Sequence, residues 1–331
     1  MRPKVFVSQP IGPTALARLK AIAEVEMIDD ASKIISKERM IAGVKTCDIL
    51  FPLLHDIVDK EVMAANPNLK AITSMSITPD RIDVEEATRR RLPVTVVPAM
   101  AVETTADICW ALMMAVARNV VRGDKLVRAG MFPGAQSNYL AGGFVWGKTL
   151  GLVGGRGRIA RAVARRARGF DMKILYQSRS RMTPEQEKEL GATYVSLDEL
   201  LRESDFVSLH PNMTPETHHM IGAREFGLMK PTAYVINTSR GPVIDEKALV
   251  KALQSGRIAG AGLDVFEREP YVEPELLTME NVVLTPHLGS AVLEVRDQMA
   301  NVVVDNIEAL LAGKPLPNCV NPQVLEQRAA S

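Results

Sequence analysis

A glycine-rich turn, Gly155-Arg156-Gly157-Arg158-Ile159-Ala160, follows an apolar run, Leu150 to Val153, and opens a stretch with helical spacing of small and apolar residues (Ile159, Val163, Ala167). Strand, tight turn, helix is the context that gives a G-x-G-x-x-G/A match its meaning. Free backbone N–H groups and the positive end of the helix dipole then face a pyrophosphate, with Gly155, Gly157, Arg158 and Ile159 around it. A second apolar run, Met172 to Tyr176, brings Gln177, Ser178, Arg179 and Arg181 to the adenosine ribose, about twenty residues past the turn. An acid there would hold the 2′-hydroxyl of NAD. Serine and arginine suit a 2′-phosphate instead, so the cofactor reading is NADP, as NADPH. The plainer account is that these arginines belong to an exposed turn.

Short apolar runs alternate with helical patterns before this turn and after it. Val5-Phe6-Val7, Thr14 to Ala23, Asp48 to Phe51 and Lys70 to Thr73 come first, and Leu92 to Pro98 closes that unit. A long helical region begins near Val102-Glu103 and runs through Trp110 and Val116, followed by a loop from Met131 to Gly147. Further strands are expected at Asp205 to Ser208, Ala233 to Ile236, Ala259 to Leu263 and Val282 to Leu284, with a final helix at about Ala291 to Leu311. The expectation is an α/β chain of two parallel-sheet domains with the active-site cleft between them.

Bulk properties narrow the function. A chain of 331 residues has room for two cores, and a net charge of +1 sets up no field toward nucleic acid or an anionic membrane. The arginines from Arg156 to Arg168 read mostly as a solvated helix face. Three cysteines, far apart, give neither a disulfide framework nor metal spacing, which fits a reducing cytoplasm. The apolar stretch Ile108 to Ala117 is too short for a bilayer and reads as a buried helix.

Reduction of a carbonyl by hydride needs a proton donor and a cation to hold the substrate. Of five histidines, His218 and His219 follow a turn, and His55 lies at an early strand end. His210, with Pro211, ends another strand. His287, in Thr285-Pro286-His287-Leu288-Gly289, ends a strand facing the expected cleft and is the preferred acid/base; a structural histidine is the rival account. Arg240 ends Asn237-Thr238-Ser239-Arg240-Gly241 at another strand's carboxyl end. A carboxylate touching His287 would favour its imidazolium, and Glu267 serves on these grounds as well as Glu269.

Three segments, Asn237 to Gly241, Gly262 to Pro270 and Thr285 to Ala291, make the whole chain resemble the D-isomer-specific 2-hydroxyacid dehydrogenases. Thr214 to Thr217, Gly147 to Gly151 and Asn318 to Pro322 add to the likeness. The resemblance implies Arg240 as substrate clamp, Glu269 as partner of the histidine and His287 as acid/base. It implies Asp264 near the nicotinamide amide, and Thr105, Thr217, Thr238, Gly289, His210 and Pro211 around the cofactor. It implies residues 1–99 plus 288–331 as the substrate domain, 100–287 as the NADP-binding Rossmann domain, and a homodimer through the long helix and the Met131–Gly147 arm. The basic run after Gln177 resembles the NADPH-using glyoxylate and hydroxypyruvate reductases, and the expected reaction is reduction of a 2-oxo acid, of that class or bulkier, to the D-2-hydroxy acid. Four positions depart from the family pattern: an extra Gly154 before the turn, Ala160 for the third glycine, Pro211-Asn212 one residue early, and Ser76-Ile77-Thr78-Pro79 where a glycine-bearing loop holds the substrate carboxylate. Ile77 and Thr78 are the expected substrate contacts. A dinucleotide-sensing corepressor and an NAD-linked enzyme of the phosphoglycerate type are the rival functions.

Overall fold

The computed structural model describes residues Arg2–Leu325. The chain folds into two compact units, one running to Met100 and resuming at Val292, the other spanning Ala101–Ala291. The second break falls past the expected 287/288 boundary. The reason is local: the Leu288 and Gly289 amides donate to Asp264 at 2.7 and 2.9 Å, tying that turn to the second unit.

The first unit alternates β1 (Lys4–Val7), α1 (Pro13–Ile22), β2 (Glu24–Met27), α2 (Lys37–Val44), β3 (Ile49–Phe51), α3 (Lys60–Ala64), β4 (Ala71–Thr73), α4 (Val84–Arg89) and β5 (Val94–Thr95). The strands form one parallel sheet in the order β2-β1-β3-β4-β5. Period-two alternation sorts its side chains. Val5, Val7, Ile49, Phe51 and Ala71 enter one core, and Phe6, Leu50, Ile72 and Val94 the other. The chain returns to this unit as α12 (Leu293–Leu311), which packs on α1; Arg18 reaches Asp305 at 2.7 Å and Glu308 at 3.0 Å. Asn321 is 1% exposed and caps the β5 edge, accepting from the Val94 amide at 2.8 Å and donating to the Leu92 carbonyl at 2.9 Å.

The second unit contains α5 (Val102–Ala117), α6 (Val120–Arg128), β6 (Thr149–Val153), α7 (Arg158–Ala167), β7 (Lys173–Gln177), α8 (Pro184–Leu190), β8 (Ala192–Tyr194), α9 (Leu197–Glu203), β9 (Phe206–Leu209), α10 (Ala223–Leu228), β10 (Tyr234–Asn237), α11 (Glu246–Gln254), β11 (Gly260–Leu263) and β12 (Val282–Leu284). Its seven parallel strands run β12-β11-β10-β9-β6-β7-β8. The order reverses direction beside β6, where β6 pairs with β7 on one side and β9 on the other. Ligands of open α/β sheets gather at such a switch point. Alternation again feeds two cores, Val153, Leu175, Val207 and Val235 on one face, Leu152, Ile174, Phe206 and Ile236 on the other.

The apolar stretch around Ile108 is the buried face of α5, with Cys109, Trp110, Leu112, Met113 and Val116 inside. Asn119, at φ +54°, breaks the long helical region into α5 and α6. Arg165 and Arg166 pair with Glu103 and Asp107 of α5 at 2.5 to 2.9 Å, so part of the arginine face is spoken for rather than merely solvated. β9 starts one residue later than expected because Asp205 lies at its mouth, accepting from the Thr149 amide and pairing with Lys230, each at 2.9 Å. Among the described residues no helix is long and apolar enough to cross a membrane.

Gly43, inside α2, faces the fully buried Phe6 ring, and a β-carbon there would overlap it. Alanine gains about 1 kcal/mol in helix propensity over glycine, whereas forcing the ring aside costs about 1–3 kcal/mol. Gly43→Ala is therefore expected to lower the urea midpoint. A raised midpoint would show that the ring yields.

Candidate active site

The glycine turn is built for close backbone approach. The Gly154 and Gly155 amides both donate to the Gln177 carbonyl at 2.9 Å, so the extra glycine prolongs the join to β7. Gly154 has φ +75°, and a β-carbon on it would lie 2.7 Å from the Pro211 nitrogen. On Gly155 it would lie 2.5 Å from Tyr176 Cβ. Gly157 is the N-cap of α7 and supplies no side-chain cap, and Ala160 is buried against the sheet. The first-turn amides at Arg158 and Ile159 thus point out of a helix end that no side chain satisfies, the setting that takes a phosphate.

At the end of β7 the basic residues separate. Arg181 is held by Glu187 at 2.7 and 2.8 Å, and the Tyr176 hydroxyl donates to the same carboxylate at 2.5 Å. The Arg181 guanidinium, with that hydroxyl, holds the Glu187 carboxyl at about 2. Ser178 uses its carbonyl to accept from Tyr194 at 3.2 Å. Arg179 is exposed and makes no hydrogen bond or ion pair among the described residues.

Two side chains at the ends of β9 and β10 carry buried polar atoms that are little used among the described residues. His210 bonds Ser208 Oγ through Nε2 at 2.9 Å, while its Nδ1 is buried with no hydrogen-bond partner among the described residues. Burial pushes this imidazole down to about 3, so it is neutral. Thr238 Oγ1 is likewise buried and makes no other hydrogen bond among the described residues than its weak contact with the Cys109 thiol. The buried His210 Nδ1, on a residue whose backbone meets Gly154, fits a polar ligand. Thr217, by contrast, spends its hydroxyl on the Asn212 carbonyl at 2.7 Å.

The acid/base candidates meet on the loops after β11 and β12. His287 Nδ1 lies 3.1 Å from Glu269 Oε2, and Glu269 Oε1 accepts from the Phe266 amide at 3.0 Å. Glu267 faces elsewhere, with Oε1 2.9 Å from His219 Nε2. The choice left open between the two glutamates is resolved by geometry. His287 holds φ +55°, rare for a residue with a side chain, and its amide donates to the Asp264 carbonyl at 2.9 Å. Asp264 is 1% exposed and accepts from Thr285 Oγ1 at 2.6 Å besides the Leu288 and Gly289 amides. Burial pushes its carboxyl up despite those donors. Thr104 and Thr105 both donate to the Gly289 carbonyl, at 2.7 and 3.2 Å.

Arg240 follows β10, and a buried asparagine sets its backbone. Asn237 donates to the Arg240 carbonyl at 3.0 Å and accepts from the Ser239 amide at 3.0 Å. Ile77 and Thr78 lie in the other unit, half-buried, with the Thr78 hydroxyl on Asp80 at 2.7 Å. Sequence reading passed over Thr104 and Thr285, whose roles depend on which carbonyl or carboxylate lies opposite. The placement of Thr285 two residues before His287 was the available signal for the second.

A model of the D-isomer specific 2-hydroxyacid dehydrogenase NAD-binding domain matches residues 110–289, more than half of the chain. A glyoxylate reductase of Thermococcus litoralis is 47% identical over 98% of both chains. One of Korarchaeum cryptofilum is 48% identical over 99% of this chain and 98% of its own. Among solved structures, an NADPH-dependent glyoxylate/hydroxypyruvate reductase of Sinorhizobium meliloti in complex with NADP and malonate aligns at a TM-score of 0.80, with 31% identity over 97% of this chain and 98% of its own. The glycine cradle, the histidine–glutamate pair and these end-to-end matches agree: the chain belongs to the D-isomer specific 2-hydroxyacid dehydrogenases, a family of oxidoreductases.

Proposed function

We propose that the protein reduces a small 2-oxo acid, of the glyoxylate and hydroxypyruvate class, to the D-2-hydroxy acid with NADPH. The observation that carries this reading is the 3.1 Å contact of His287 Nδ1 with Glu269 on a turn held by buried Asp264. The names of the matched reductases support the substrate class.

NADPH, when bound, supplies hydride to C2 of the acid. Glu269 accepts the Nδ1–H of His287, which leaves Nε2 to hold the proton that the substrate oxygen takes up as it gains charge. Arg240 binds the carboxylate with two parallel hydrogen bonds and polarises the carbonyl, a stabilisation that grows as the oxygen becomes anionic. The amides at Arg158 and Ile159 receive the pyrophosphate. Arg179, which makes no ion pair within bonding distance among the described residues, takes the 2′-phosphate with Ser178, and Arg181 lends field from its bond to Glu187. His210 Nδ1 and Thr238 Oγ1 offer the dinucleotide an acceptor and a hydroxyl. We assign Ala101–Ala291 to the cofactor, and the other unit, with Ile77 and Thr78, to the acid. The three free cysteines suit a reducing cytoplasm. A homodimer through α6 and the arm accounts for a helix with no buried residue and for exposed Met131, Phe132, Tyr139, Phe144 and Trp146.

Absorbance of NADPH on mixing with glyoxylate, hydroxypyruvate and bulkier 2-oxo acids tests the reaction. His287→Gln is expected to lower kcat by roughly 10²- to 10⁴-fold, and Arg240→Ala to raise KM as well. Tight NADPH binding with no turnover of any 2-oxo acid would remove the reductase reading. Arg179→Ala is expected to weaken NADPH while sparing NADH; a wild type that prefers NADH strongly defeats the cofactor assignment.

The neutral His210 also shapes acid stability. Its folded value of about 3 lies below the ordinary 6.5, so the unfolded chain alone takes up the proton as pH falls between them. That costs stability throughout the window and nothing above it. Denaturation midpoints of His210→Asn should therefore fall less steeply than wild type from pH 6.5 toward 3. Parallel slopes in the two proteins would mean that the ring protonates in the native state.

A further inference from the structure

Glu246 opens α11 and is 3% exposed, an expensive place for a carboxyl group. Its Oε1 accepts the Glu267 amide at 2.7 Å, while its Oε2 is buried without a hydrogen-bond partner among the described residues. Burial above all pushes this carboxyl up; the Glu267 amide opposes it, and the Glu267 and Glu273 charges add to it. A residue kept merely to fill space would be apolar. Glu267 returns the bond, its Oε2 accepting the Glu246 amide at 3.2 Å, and its Oε1 reaches His219.

The two glutamates therefore close a ring between the segments after β10 and β11. Gly241 adds a close approach between these two segments, and the segment after β9 braces the first of them. Gly241 lies so close to the Phe266 carbonyl and the Glu267 amide that a β-carbon would overlap both. The His219 amide donates to the Pro242 carbonyl at 2.8 Å, and the Asp245 amide to the Ile221 carbonyl at 3.1 Å. Arg240 immediately precedes Gly241. The Phe266 amide, one peptide before Glu267, is the donor that orients Glu269 Oε1.

We propose that Glu246 is a positioning residue: the reciprocal Glu246–Glu267 lock sets the segment carrying Arg240 against the segment carrying Glu269, and thereby the direction in which Glu269 meets His287. This role rests on the reductase reading above. It acts through Glu269 and Arg240, and Glu246 itself touches no substrate. Rotation of the Glu267 peptide moves the Phe266 amide and releases Glu269 from its fixed orientation. Misplacement by about 1 Å is enough to cost roughly a hundredfold in rate.

The test compares Glu246→Ala, Glu246→Gln and Glu267→Ala in the full chain, with glyoxylate and NADPH as substrates. Both alanine variants are expected to lose roughly ten- to a hundredfold in kcat, with the NADPH dissociation constant changed less than about twofold. Glu246→Gln keeps the accepting oxygen and should return to within about threefold of wild type. A second readout needs no turnover. In ¹⁵N-histidine spectra the Nδ1–H of His287, assigned by its loss in His287→Gln, should be protected in wild type and broadened in Glu246→Ala. Should Glu246→Ala not fold, Glu267→Ala carries the same comparison. Wild-type kcat in a folded alanine variant, equal loss of NADPH binding and turnover, or an unchanged His287 ring signal would each overturn the proposal. A wild type that reduces no 2-oxo acid would overturn the reductase reading instead, and the ring signal would still decide whether the lock exists.

Discussion

One buried carboxylate organises the end of the sheet where the chemistry gathers. Asp264 sits just past β11, nearly free of water, and receives a hydroxyl and two amides from the segment after β12. Charge-assisted hydrogen bonds in a low-dielectric setting are the strong kind, and removing one partner leaves a costly orphan. That is enough to keep His287 in a left-handed backbone conformation, which runs against its side chain by of order 1–3 kcal/mol. In that conformation the His287 imidazole stands 3.1 Å from Glu269, a residue from a different strand end.

The remaining site follows the same logic of short segments after neighbouring strands, each braced by the next. Asn237 shapes the segment of Arg240, Glu246 and Glu267 tie that segment to the one bearing Glu269, and Thr104 and Thr105 hold the Gly289 carbonyl from α5. Parallel strands make this possible because their carboxyl ends all lie at one edge of the sheet. Hydrogen bonds between the segments then do what a single long loop could not.

Much of this was legible in the residues. Short continuous apolar runs and a glycine turn before a helix were sufficient for the parallel sheets, because strands buried on both faces leave unbroken Val, Ile and Leu signals. Two edge strands, β2 and β8, escaped: Glu24–Met27 alternates acids with Val and Met and is only partly buried, so it carries no such run. The NADP expectation rested on two arginines that look alike in the chain. They differ in space only because Glu187, six residues past Arg181, happens to face it from α8. Glu267 and Glu269 were equivalent for the same reason: two residues apart in a loop, nothing local says which one turns inward. Partner choice is a tertiary property.

The cap that Asn321 places on the β5 edge has a consequence for how the molecule is made. Residues 292–325 leave the ribosome only after the whole of Ala101–Ala291, yet α12 and Asn321 complete one core and the border of the N-terminal sheet. During translation the middle unit holds all of its own strands while the earlier one still shows a raw border and an uncovered apolar layer over α1. The order of synthesis and the order of completion are thus opposite. The half that is translated first is the last to be sealed.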